Sequence, residues 1–81
     1  MNHEYEAENL HTASKSLDTT IRHLALATIH SSDEIISSTH TDELVKLAEL
    51  SSGDFFTKML LRNTIRLQQD IQISISQIKS K

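Results

Sequence analysis

Glu4, Glu8 and His11 are the residues whose types and spacing come closest to a metal-binding pattern. On a helix, residues four and three positions apart share one face. Well-defined helical metal sites place two histidines four residues apart, or take further ligands from a second helix. No two of the five histidines have that spacing. We therefore interpret this face as a solvated polar surface and predict no metal site and no cofactor.

The groups that support common enzyme mechanisms are scarce in the sequence. There is no cysteine, no glycine-rich phosphate loop and no nucleophile elbow. Serine and threonine are abundant, but one of them near a histidine has no catalytic meaning without a pocket. A helical chain of 81 residues offers no obvious cavity of the usual ligand volume. We predict that the protein is not an enzyme and has no catalytic residues.

Lys58, Arg62 and Arg66 are spaced by four and would form a basic ridge along one helix. Such a ridge can dock on phosphates or on an acidic partner surface. Three bases without aromatic stacking residues are few for nucleic-acid binding, and the net charge of −3 also argues against it. We favour a solvated ridge that complements the acidic first half of the chain.

The charges are sorted along the chain. Residues 1–54 contain ten acidic and three basic residues, a net of −7, whereas residues 55–81 contain five basic residues and Asp70 alone, a net of +4. The only glycine, Gly53, lies at the boundary. Opposite charge lets the two halves attract when they fold side by side, within one chain or between two.

The densest apolar cluster spans residues 55–61 and covers more than one face of a helix. A two-helix hairpin cannot bury all of it, so either a middle helix or a second molecule must cover one side. The chain has 37% apolar residues, three aromatics and no cysteine, so its own core is thin and has no disulfide support. We expect a protein partner or self-association, giving a homo- or hetero-oligomer. The candidate partner-binding surface consists of Phe55, Phe56, Met59, Leu60, Arg62, Arg66 and Leu67.

Helical periodicity defines the first segment, from about Tyr5 to Ile29. Asp18 and Arg22 are four residues apart and are predicted to pair on its solvent side. The apolar stripe of this helix consists of Ala7, Leu10, Leu17, Ile21 and Leu24.

The middle of the chain is polar and holds a shorter element. Ser31 and Glu34 have the form of a capping box for a short helical turn. Thr41 is predicted to cap the next helix, which ends before Gly53, and Asp54 is predicted to cap the helix after that. The apolar stripe of the middle helix consists of Leu44, Leu47 and Ala48.

The last segment, from Phe55 to Lys79, again has helical spacing. Its predicted stripe consists of Phe56, Leu60, Leu67, Ile71, Ile75 and Ile78. Residues 71–76 (IQISIS) also alternate in the manner of a strand. The chain contains no second strand candidate, and a lone strand cannot satisfy its backbone. We favour a helix with Ile73 pointing outward, because a strand here would have to pair with another molecule.

These segments predict an all-α fold with a single small domain over residues 1–81, arranged as an antiparallel helical hairpin or as three helices. The absence of proline and the single glycine disfavour β-sandwiches and barrels, which need many tight turns. No apolar run approaches the roughly 18 residues of a membrane span. The acidic N-terminus is unlike a cleavable signal peptide. We expect a cytoplasmic protein, and export without a cleaved signal stays open.

The polar break at residues 37–41 precedes Asp42, and the long last helix carries Asn63, Asp70 and Ile78 in an Asn…Asp…Ile pattern. In these features the second half of the chain resembles the small helical-hairpin proteins of type III secretion systems, the needle subunit and its co-chaperone. The chain departs from that family in having no proline in the break, and in that Gly53 interrupts the segment that should be a continuous second helix. The resemblance implies a hairpin that works by helix packing, and it assigns no functional residue.

We therefore predict a small helical protein–protein interaction module, acting as an assembly subunit or a chaperone-like adaptor, in type III secretion if the resemblance holds. Its surface would be the apolar stripe of residues 55–78 with Arg62 and Arg66 at the rim. The alternative is a small helical regulator that binds nucleic acid or a transcription component through the basic ridge.

Overall fold

Helical structure covers most of the chain. The computed structural model describes residues 3–80 and contains α1 (His3–Thr28), α2 (Thr41–Leu50) and α3 (Phe55–Lys79), in that order. No residue in this described range belongs to a β-strand. The predicted all-α class is therefore confirmed, and α3 has the bounds that its apolar spacing predicts.

α1 and α3 form an antiparallel hairpin, and α2 packs on one side of it, mainly against α1. Ala7 and Ile78 line one shallow groove, which shows that the start of α1 lies beside the end of α3. At the other end, the backbone at Gly53 lies against Thr28. The result is a three-helix arrangement in the shape of a thin slab, 46 × 24 × 15 Å.

The starts of α2 and α3 differ in how they are capped. The Asp54 carboxylate accepts hydrogen bonds from the Thr57 amide at 2.9 Å and from the Thr57 hydroxyl at 3.1 Å, which confirms it as the cap of α3. The N-cap of α2 is His40, whose backbone is extended, and Thr41 is already helical. The prediction that Thr41 caps α2 is therefore wrong by one residue.

The connector between α1 and α2 forms no α-helix, but it has the predicted single helical turn with Ile35 and Ile36, since the Ile36 amide donates to the Ser32 carbonyl at 3.3 Å. The prediction that Ser31 starts this turn is wrong by one residue. The neighbouring Ser32 organises this segment instead. Its hydroxyl accepts a hydrogen bond from the Glu34 amide at 3.1 Å, and its carbonyl accepts one from the Ile35 amide at 3.1 Å. These bonds replace the predicted capping box between Ser31 and Glu34.

The C-terminus of α1 closes with a left-handed residue. His30 has a φ of 54°, and the Ser31 amide donates back to the Leu26 carbonyl at 3.0 Å. The His30 amide donates to the Ala27 carbonyl at 3.3 Å. This pair of bonds is the Schellman arrangement, which satisfies carbonyls at the end of a helix and reverses the chain direction.

The apolar core lies at the connector end of the hairpin, where all three helices meet. Ile75 is buried separately, toward the other end of α3. The core consists of Ile21, Ala25 and Leu26 from α1, Leu44 and Ala48 from α2, and Leu61 from α3.

The stripe predicted for α3 is wrong in its first half. Leu61 is fully buried, whereas Phe56 and Leu60 are exposed and Leu67 is 51% exposed. The apolar residues of this half cover more than one face, so two stripes about 100° apart fit the spacing equally well. Leu47 of α2 is likewise exposed rather than buried.

Residues 71–76 lie within α3 and are helical, as we favoured. Ile75 is 4% exposed, whereas Ile73 is 57% exposed. The two side chains thus point to different sides, as they do on a helix and not on a strand. The prediction that Ile73 faces outward is confirmed.

Gly53 lies where the chain passes the end of α1. A Cβ atom at this position would lie 2.4 Å from the Thr28 carbonyl oxygen, so the backbone would have to move. We expect Gly53→Ala to lower the free energy of unfolding by about 1–3 kcal/mol, the usual cost of overpacking. Urea denaturation followed by circular dichroism measures this change. The control is Ser52→Ala at the exposed neighbour, with an expected effect of at most about 0.5 kcal/mol. Equal effects would contradict the close approach.

Candidate protein-interaction surface

The seven residues of the predicted partner-binding surface all lie on the exposed part of α3. Phe56 is the most exposed of the five apolar members, at 71%. Its ring meets the ring of Phe55 edge-to-face, with centroids 6.4 Å apart. None of the seven belongs to the core, although α2 binds one of them, Arg62, through Glu49.

The seven residues form two adjoining strips on α3 rather than one. With about 100° per residue, Phe56, Leu60 and Leu67 lie within about 40° of one another, and we call them the lateral strip. The outward strip, which points away from α1, consists of Phe55, Met59, Arg62 and Arg66.

α2 lies on the side of the hairpin opposite the lateral strip. Val45 of α2 lines a groove together with Ile21 of α1 and Ile65 of α3. Ile65 is about 160° around α3 from Leu67. The connector end of one broad face is therefore covered by α2, and no described part of the chain lies over the opposite face.

α1 contributes a second apolar row to this uncovered side. Leu24 is about 160° around α1 from Arg22, and Arg22 binds the connector on the α2 side. Leu10, Leu17 and Leu24 recur every seven residues and are half-buried. We call these three leucines together with the lateral strip the open face. The sequence shows the leucine spacing, but not that Leu17 and Leu24 lie level with the lateral strip.

A two-pronged ion pair joins α2 to the outward strip. Arg62 Nε donates to Glu49 Oε1 at 2.9 Å, and an Arg62 terminal nitrogen donates to Oε2 at 2.7 Å. These hydrogen bonds, assisted by the charge of Arg62, hold the pKa of the Glu49 carboxyl below its usual value. The pair forms across the acidic and basic halves of the chain, as the charge pattern predicts. It is lost only when pH falls through that lowered pKa.

The basic ridge is used largely inside the molecule. The Lys58 ammonium donates to the Ser51 carbonyl, and Arg62 is bound to Glu49. Arg66 makes no hydrogen bond or ion pair with another residue in the range 3–80. Of the two arginines predicted for the rim, Arg66 alone is available to a partner. The proposed docking of nucleic acid gains no observation in its favour.

Arg22 holds the connector between α1 and α2. Its Nε donates to Asp33 Oδ1 at 2.8 Å. Its terminal nitrogens donate to the carbonyls of Thr39 at 2.7 Å and Ile36 at 3.1 Å. The predicted pair with Asp18 is wrong, because Asp18 instead accepts from Gln68 of α3 at 2.6 Å. No local spacing indicates these partners, which lie 11 to 17 residues away.

A polar layer lies between α1 and α3 at mid-height. Ser14 is buried, and its hydroxyl accepts a hydrogen bond from Gln72 Nε2 at 2.6 Å. Gln68 Nε2 donates to the Ser14 carbonyl at 2.9 Å. Because buried polar groups are costly unless paired, this layer disfavours other registers of the two helices. Sequence reasoning missed it, since serine and glutamine are usually exposed.

The acidic and histidine residues near the N-terminus lie in a shallow groove at the open end of the hairpin. Glu4, Glu8 and His11 line it with Ile78 and other residues. Nowhere in the described range do three histidine, aspartate or glutamate side chains come close enough to hold a metal ion.

Comparisons of the chain with protein-family models, with curated proteins and with solved structures find no match. Among the described residues, no helix has the length and hydrophobicity that a membrane span requires.

Proposed function

We propose that the protein is a small helical protein–protein interaction module, acting as an assembly subunit or a chaperone-like adaptor. The observation that supports this most is the exposure of Phe55, Phe56, Leu60 and Leu67 on one long helix. Contiguous exposed apolar side chains usually mark partner sites. A partner that covers them removes apolar surface from water, which contributes about 25 cal/mol per Å².

The balance of buried and exposed apolar residues also supports the proposal. Within residues 3–80, seven apolar residues are buried, two of them alanines, whereas ten large hydrophobic residues are exposed. A chain that leaves more large apolar side chains outside than inside gains little stability from its own core. Binding a partner would add the burial that the isolated chain lacks.

Membership of a type III secretion system stays a prediction from the resemblance of the second half of the chain. In such a system the protein would act as a subunit or as a co-chaperone. Either role would use the same exposed side of α3.

Site-specific photo-crosslinking in the cells that make the protein tests the proposal. A photoreactive amino acid at Leu60 is expected to give a discrete crosslinked protein product. The matched control is Gln69, which is also exposed on α3 but lies on the side nearer α2. We expect no product from Gln69. If neither position gives a product, the proposed interaction role is wrong.

A further inference from the structure

The open face is free of charge over its middle. Asp70 borders it on α3, about 40° around the helix from Phe56, and at its far end Ile78 lines a groove with Glu4 and Glu8. The part of the face on α3 continues from Phe56 at helical spacing through Leu60, Asn63, Leu67, Ile71, Ser74 and Ile78. The part of the face on α1, from residue 10 onward, consists of Leu10, Ala13, Leu17, Thr20, Leu24 and Ala27. None of these side chains is charged, although the chain has 19 charged residues. Depletion of charge together with enrichment in large apolar groups is typical of interface cores.

The spacing of the leucines suits helix-on-helix packing. Leu10, Leu17 and Leu24 recur every seven residues, as do Leu60 and Leu67. Small residues lie between the leucines of α1, with Ala13 and Thr20 among them. Large side chains that alternate with small ones provide the knobs and the holes by which packed helices interlock. The open face therefore has the pattern of one half of a four-helix core.

The surface area of the chain is also larger than its mass requires. The chain exposes 5896 Å², whereas a monomeric protein of 9.2 kDa typically exposes about 4900 Å². The excess of about 1000 Å² per chain compares with the roughly 800 Å² that each partner contributes to a standard interface. The broad side of the slab measures 46 × 24 Å, which is enough to provide that area.

We infer that the open face binds a second copy of this chain, so that two hairpins pack face to face as a four-helix core with the two α2 helices outside. This inference rests on the proposed function and names its partner. The uncharged middle of the face suits a partner surface that is also apolar and uncharged, and the open face itself is such a surface. A two-fold axis through the face places the same apolar rows on both sides of the interface, so that the rows of both copies are covered.

Light scattering and sedimentation with matched variants test this dimer. At about 100 µM, where a dimer with a dissociation constant near 1 µM is almost fully formed, the wild type is expected at twice 9.2 kDa. Leu67→Glu is expected to weaken the dimer by on the order of 1000-fold, because symmetry puts the charge into the interface twice. The control Ile73→Glu makes the same kind of change on the outward side of α3 and is expected to leave the dissociation constant unchanged.

A spin-label measurement covers the case in which Leu67→Glu fails to fold. Because residues 1–81 contain no cysteine, single cysteines can be placed at Asn63 on the open face and at Lys46 on α2. Two labels at Asn63 are expected to lie closer together across the dimer than two labels at Lys46. A shorter distance at Lys46 would overturn the inference. A dimer that Ile73→Glu dissociates and Leu67→Glu does not would also overturn it.

The crosslinking at Leu60 separates this inference from the function on which it rests. A wild-type monomer at about 100 µM, with a Leu60 crosslink to a different protein, would overturn self-association and leave the interaction role standing. A monomer without any Leu60 crosslink would overturn both. A crosslinked product of twice the chain mass supports both.

Discussion

Leu61→Ala is expected to lower the free energy of unfolding by about 2–5 kcal/mol, the range measured for large-to-small changes at fully buried sites. Leu61 is fully buried and is the only residue of α3 in the core that it shares with α1 and α2. Its removal leaves a cavity where all three helices meet. The loss is large for a chain whose core is this small.

Urea denaturation at a fixed protein concentration measures this effect, and the matched control is Leu50→Ala. Leu50 is 87% exposed at the end of α2, so the same chemical change there is expected to cost at most about 0.5 kcal/mol. Leu67→Ala distinguishes a residue of the proposed dimer interface from a residue of the core. Its cost should grow with protein concentration, because Leu67 is proposed to lie in the dimer interface and not in the core. Similar losses at Leu50 and Leu61 would contradict the core described above.

Arg22→Ala is expected to destabilise the protein by about 2–3 kcal/mol, because it removes several hydrogen bonds from a charged donor. The Arg22 side chain is only 16% exposed and binds Asp33 as well as three connector carbonyls. The Ile36 carbonyl also accepts from the Thr39 amide at 3.0 Å, whereas within residues 3–80 Arg22 is the donor to the carbonyls of Ser37 and Thr39. After the change, water must replace the guanidinium at the carbonyls.

Urea denaturation and amide hydrogen exchange together measure the effect of Arg22→Ala. Exchange is expected to accelerate in residues 31–40, while amides in the middle of α3 keep their protection relative to global stability. Arg22→Lys keeps the charge but not the planar fork, so it should recover only part of the loss. Arg66→Ala is the exposed control, with an expected effect of at most about 0.5 kcal/mol. Unchanged exchange in the connector would show that Arg22 does not hold it.

The helices themselves could be predicted because their signals are local. Periodicity over residues 55–79 and the carboxylate of Asp54 define α3, since a helix forms bonds between residues four apart and its cap acts within one turn. The strand-like alternation at residues 71–76 misleads only if it is considered without the rest of the chain. The one-residue error at Thr41 is of the size expected where several polar residues compete for a cap.

The exposed apolar residues could be identified from sequence only in part. The dense cluster at residues 55–61 indicates more apolar surface than a hairpin can bury, and four members of the cluster are exposed. The sequence does not show that Leu61 is the member that turns inward. Nor does it show that Leu17 and Leu24 lie level with the lateral strip. Both facts depend on which side of α3 meets α1.

By itself, the sequence determined the helical type of these segments, the bounds of α3 and the excess of apolar residues on α3. Only the tertiary structure decided the burial of Leu61, the partners of Arg22 and the polar layer around Ser14. Secondary structure follows from interactions within a few residues, whereas these features join residues 11 to 58 positions apart. Where two faces of a helix are almost equally apolar, the packing of the neighbouring helices selects the buried one.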